Sequence, residues 1–141
     1  MLVTGAYVGT DIWNNGPENS REVNLAQNVL GYKWLTDQAS QSGEVTTVIT
    51  QFEELTDGKT YDFVSKLNDR FYAVESPDAI TPADDQAATI MRYTENNIPA
   101  GVACDRGTYR TVVLGFPFET IKETSDRDAL MHDVLNFFNR K

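Results

Sequence analysis

The chain has 141 residues, 40% of them hydrophobic and 11% aromatic, which suits one domain with a real core and is too little for two. A net charge of −9 disfavours nucleic acid and anionic membranes, and it repels an acidic polysaccharide unless the few arginines cluster locally. A single cysteine excludes an internal disulfide framework and any multi-cysteine metal site, and no run approaches the roughly 18 apolar residues of a membrane span.

Leu2-Val3-Thr4 predicts a strand opening into Gly5-Ala6-Tyr7-Val8-Gly9, where small residues flank one large polar one. That pattern suits a strand-to-helix elbow, with glycines on either side letting the backbone turn sharply. A Gly/Pro/Asn-rich loop follows over residues 13–19. Residues 20–31 predict a helix with Ser20 as N-cap, an apolar stripe of Val23, Leu25, Ala26, Val29 and Leu30, and Gly31 as the stop. Residues 32–40 and 44–50 flank Gln41-Ser42-Gly43 and predict a β-hairpin or two adjacent strands.

Asp57-Gly58 predicts a turn between Phe52-Leu55 and Tyr61-Val64, and residues 71–85 predict loops joined by short strands. Strands over 87–95 and 100–105 enclose the Asn96-Asn97-Ile98-Pro99 turn. Residues 108–118 contain the strongest strand, whose continuous Val112-Val113-Leu114 run implies cover on both faces. The last helix is expected to have Ser125 as its N-cap, with Asp128 closing a capping box and Leu130, Val134, Phe137 and Phe138 forming its buried stripe. Strands in the middle and helices near both ends predict an α/β or α+β class. A first strand with no element before it leaves two arrangements: a larger domain of which residues 1–141 are one part, or copies that cover the exposed edge.

Gly5-Ala6-Tyr7-Val8-Gly9, the segment "YRTVVLGFPFE" (109–119) and the helix "RDALMHDVLNFF" (127–138) together resemble the class I glutamine amidotransferase-like superfamily. More narrowly, "VESPDAITP", "IMRYTENNIPAGVACD" and "YRTVVLGFPFETI" resemble the C-terminal module of large secreted bacterial xanthan lyase-like proteins. The resemblance implies a single α/β domain over 1–141, with a three-layer flavodoxin-like sheet truncated on its N-terminal side and carrying a β-hairpin insertion. It also implies an extracellular or cell-surface location, although Met1 leads straight into a strand with no leader in the chain itself. Tyr7 stands where the superfamily carries a cysteine nucleophile, and Phe116-Pro117-Phe118 stand where it carries a histidine. Only Glu119 matches its triad, so the resemblance implies the fold rather than the amidotransferase activity.

Cys104 lies in an alternating strand and is expected to be structural. His132, the only histidine, falls off the apolar stripe of the last helix toward solvent, which removes the usual base of hydrolases. The remaining candidates for chemistry are Tyr7, as a lyase-type acid and base near Asn14, Asn15 and Arg21, and the carboxylates Asp11 and Glu119, which follow strand ends that could share one sheet edge. Of the other acid pairs, Glu53-Glu54 and Asp84-Asp85 suit solvated charge, and Glu75 with Asp78 is a further candidate carboxylate pair. Trp13, Tyr32, Trp34 and Tyr72 are the aromatics available for stacking on a sugar. No cofactor or metal is expected. The expected function is a non-catalytic accessory or structural module of a secreted carbohydrate-active protein, and the alternative is a polysaccharide lyase or hydrolase acting on acidic glycans at the Tyr7 elbow. Expected partners are other domains of a larger parent, a polysaccharide, or a second copy paired through the first strand, without nucleic acid or membrane insertion.

Overall fold

The strand of continuous valine and leucine, β8 (Arg110–Leu114), lies inside the larger of two sheets. Its neighbours are β1 (Leu2–Thr4), which runs parallel to it, and β7 (Pro99–Asp105), which runs antiparallel. Beyond β7 come β6 (Ala87–Tyr93), β3 (Glu44–Thr47) and β4 (Thr60–Asp62), each antiparallel to the last. A second sheet pairs β2 (Tyr32–Thr36) with β5 (Ala79–Pro82), also antiparallel. This computed structural model describes residues 1–14 and 20–141, so most of the predicted 13–19 loop lies outside the described residues.

The helices are α1 (Thr10–Asn14), α2 (Arg21–Asn24) running on into a π-helical turn over Leu25–Leu30, and α3 (Thr124–Asn139). Short 3-10 turns cover Glu53–Leu55 and Phe118–Thr120. No helix among the described residues is long and apolar enough to cross a membrane.

Side chains alternate across the large sheet and split into two cores. Val112 and Leu114 of β8 join Ala103 of β7 and the α3 stripe Leu130, Val134 and Phe137 on one face. Val113 joins Val102, Cys104, Tyr32, Ile80, Ala26 and Leu30 on the other. Leu2 packs toward the first core and Val3 toward the second, so β1 continues the same alternation. The class is therefore mixed α/β, with the sheet covered on both faces as the unbroken Val112–Leu114 run predicts.

Among the described residues, however, parallel pairing is confined to β1 and β8. The β6–β7 turn at Asn96-Asn97-Ile98 and the β7–β8 turn through Gly107 are too short for the crossover that parallel strands require, so these strands form antiparallel hairpins. Asn97 takes the left-handed conformation (φ 61°) that such a turn needs.

Local expectations change at two places, in the strands and in the last helix. The hairpin predicted for residues 32–50 does not form, because β2 pairs with β5 and β3 pairs with β6 and β4. Alternating patterns show a strand's faces and say nothing of its partner. The last helix starts two residues earlier than predicted, with Glu123 rather than Ser125 at its N-cap and no side-chain capping bond, so Ser125 and Asp128 build no capping box.

In the first long helix Ser20 caps as predicted, accepting from the Val23 N–H at 3.1 Å, and Gly31 ends it at φ 84°. The Gly31 N–H reaches back to the Ala26 carbonyl, a π-helical closure that widens the last turn. Val23, Ala26 and Leu30 are buried as a result, while Leu25 and Val29 of the predicted stripe turn to solvent.

β1 forms one border of the large sheet. The Met1 carbonyl accepts from the Val112 N–H, and the Gly5 N–H donates to the Leu114 carbonyl. In a parallel ladder alternate residues face the neighbour, so Val3 also bonds β8 while Leu2 and Thr4 aim their backbone groups outward. The edge that remains is short.

Candidate functional site

The turn after β1 is built around a residue from elsewhere in the chain. Asp78, fully buried at the start of β5, sends its carboxylate under the turn. Oδ2 accepts from the Gly9 N–H at 2.7 Å and the Thr10 N–H at 3.0 Å. Oδ1 accepts from the Thr10 hydroxyl at 2.5 Å and from the Trp34 indole N–H at 3.1 Å. The carboxylate thus satisfies N–H groups at the start of α1 that have no partner inside the helix. Burial pushes the Asp78 carboxyl above the usual aspartate range, and the Thr10, Gly9 and Trp34 donors restrain that rise.

The Asp78 backbone is tied down as well: its N–H donates to the Gly115 carbonyl, and its carbonyl accepts from the Tyr93 hydroxyl at 2.7 Å. One residue therefore locks the first turn, the small sheet and the loop after β8 to each other.

Gly9 is needed here for close approach rather than for a left-handed turn. A Cβ at this position would stand 2.4 Å from Trp34 Cδ1, so the indole occupies the space of a side chain. The Tyr32 hydroxyl donates to the Val8 carbonyl at 2.5 Å from the other side of the turn.

Tyr7 sits at the crown of the turn, 51% exposed, and makes no hydrogen bond with the described residues. A nucleophile elbow presents its residue on a strained backbone immediately before a helix. Among the described residues only Gln38 and Asn97 are non-glycines at positive φ, and α1 begins three residues after Tyr7. The turn is accordingly relaxed and wider than such an elbow.

Asp11 is exposed on α1. Glu119, exposed in the 3-10 turn after β8, accepts from the Tyr72 hydroxyl at 2.8 Å. Partial burial, helped by that carboxylate, pushes the Tyr72 hydroxyl up to about 12. No hydrogen bond joins any two of Tyr7, Asp11 and Glu119. The parallel pairing of β1 with β8 does bring the turn and the 115–119 loop to the same sheet edge.

The other residues singled out from the sequence settle into packing or surface roles. Cys104 is fully buried against Gly31, and burial raises its thiol above the usual range. His132 is exposed on α3. Asp84 pairs with Arg106 at 2.8 Å, and no group of three or more metal-ligating side chains gathers among the described residues.

Tyr32 is buried beside Trp13, with ring centroids 5.8 Å apart, and Trp34 covers Gly9, so these rings support the turn rather than offer a flat stacking face. Sequence reasoning names Asp78 only as a possible partner of Glu75 and misses its place under the first turn. Its one visible signal is position: an acid directly before the apolar Ala79-Ile80 pair that opens a buried strand. No protein-family model matches this chain, and no curated protein matches it either.

Proposed function

We propose that the chain is a non-catalytic accessory or structural module of a secreted, xanthan lyase-like carbohydrate-active protein, on a flavodoxin-like, class I glutamine amidotransferase-like scaffold. Supporting the scaffold are two parallel neighbours, β1 and β8, that end at the same sheet edge, the first in "GAYVG" and the second in "GFPFE". The observation that carries the absence of catalysis is the Asp78 carboxylate. Acyl-transfer elbows leave backbone N–H groups after the nucleophile free to stabilise an oxyanion. Here the Gly9 and Thr10 N–H groups both donate to a resident carboxylate. A second negative oxygen would have to displace it against charge repulsion, and no histidine stands near to activate Tyr7.

The alternative, a lyase or hydrolase acting at Tyr7, Asp11 and Glu119, draws on the exposure of Tyr7. Ammonia release from glutamine and unsaturated-product formation from xanthan separate the readings. The expected outcome is no turnover of either. Turnover by the native sequence that disappears in Tyr7→Phe, with the fold intact, would establish the alternative.

A further inference from the structure

Apart from the turn, the surface carries two adjoining clefts between residues 64–71 and the segment entering α3. The smaller, about 240 Å³, is lined by Ser42, Val64, Ser65, Lys66, Asn68 and Lys122. The larger, about 350 Å³, shares Val64, Asn68 and Lys122 and adds Asp69, Arg70, Phe71 and Glu123. Together they reach the size range of small-molecule sites.

Their chemistry differs in a way that composition does not anticipate. In a chain of 21 acids and 12 bases, the smaller cleft contains two lysines and no carboxylate. The five ion pairs among the described residues use Lys59, Arg106, Arg110 and Arg140, leaving Lys66, Arg70 and Lys122 without an acidic partner. Asn68 Oδ1 accepts from the Arg70 and Phe71 N–H groups, so its amide NH₂ remains as a donor. The Ser42 N–H donates to the Glu95 carboxylate and the Ser65 hydroxyl to the Ser42 carbonyl, so the free donors of the smaller cleft are the Lys66 and Lys122 ammonium groups and the Asn68 amide.

The larger cleft mixes donors and acceptors (Arg70, Asp69, Glu123) around the Phe71 ring, one face of which is covered by the Arg127 guanidinium, 5.6 Å from the ring centroid. Mixed donors and acceptors beside an aromatic ring match hydroxyl groups, each of which both donates and accepts. The acids close to the clefts are Asp69, Glu123 and Glu95, and charges beyond about 10 Å are screened at ordinary salt.

We propose that these clefts form one binding site for a small hydroxylated acid. Its oxyanion, a carboxylate or a phosphate, sits against Lys66 and Lys122, and its hydroxyl-bearing body lies along Phe71. This goes beyond the accessory role proposed above and does not depend on whether Tyr7 is catalytic.

Titration of the isotope-labelled 141-residue chain with glucuronate, glucose 6-phosphate and glucose, followed by amide chemical shifts, tests the site. One or both acids should shift the Ser42, Ser65, Asn68 and Lys122 amides, and whichever acts more strongly identifies the oxyanion. The double variant Lys66→Gln/Lys122→Gln should bind about tenfold more weakly, the combined loss of two exposed ion pairs. Lys33→Gln, a change on exposed β2, should bind like the native sequence. The site is refuted if neither acid shifts these amides, if glucose binds as well as the acids, or if the double variant binds like the native chain. Tyr7-dependent turnover would overturn the non-catalytic reading and leave this site standing, so the two fail separately.

Discussion

Asp78 gives the first turn its shape, and substitutions there should show it. Asp78→Ala strands the buried Gly9 N–H and the partly buried Thr10 N–H and Trp34 indole, so a loss of about 3 kcal/mol in urea unfolding is expected. Burial raises the Asp78 pKa in the folded state, so the native protein holds this proton more tightly than the unfolded chain. The stability linked to that proton is fully present below the ordinary aspartate pKa and is lost as pH rises through the folded value. Asp78→Asn cannot titrate. The native sequence should therefore gain stability relative to Asp78→Asn between about pH 7 and pH 4, measured by urea unfolding at both. A native sequence that loses stability relative to Asp78→Asn on acidification would contradict this sign.

The elements that pack by their own periodicity are legible in the sequence, and those defined by a distant partner are not. The α3 stripe, the doubly covered β8, the turn at Asn97, the Ser20 cap and the Gly31 stop all follow from spacing and turn chemistry. The pairing of β2 with β5 and the Asp78 carboxylate under Gly9 do not, because each joins residues far apart in the chain. The π-helical turn is also hidden, since one extra residue shifts the buried face without changing composition.

Two glycines test how an element ends. Gly31→Ala meets both a left-handed backbone and Cys104, whose Cβ would lie 2.6 Å from the new carbon, so a loss of about 3 kcal/mol is expected. Gly58→Ala has a similar φ (+72°) but open space around it and should lose only about 1 kcal/mol. Equal losses in denaturant melts would mean that Gly31 serves the turn alone and not the packing on Cys104. The same packing predicts that the Cys104 thiol stays unreactive toward an aromatic disulfide reagent until the chain is unfolded.

The sheet is closed by packing on both faces yet remains open at β1, where Leu2 and Thr4 turn their backbone groups outward. An exposed border of this kind presents backbone groups that can pair with another strand. In the monomeric chain the Leu2 and Thr4 amides should exchange with solvent quickly while the Val3 amide is protected, and protection that rises with protein concentration would identify a second copy. The binding clefts lie in the segments that follow β4 and β8, separate from the turn that the sequence brings to attention first.

The central claim is that this turn is kept for architecture and not for chemistry at Tyr7. Urea unfolding of Tyr7→Ala and Asp78→Ala, side by side with the native chain, tests it most directly. Tyr7→Ala, at an exposed position, is expected to change stability by less than about 0.5 kcal/mol, whereas Asp78→Ala falls by about 3 kcal/mol. A large loss at Tyr7 with little change at Asp78 would contradict it.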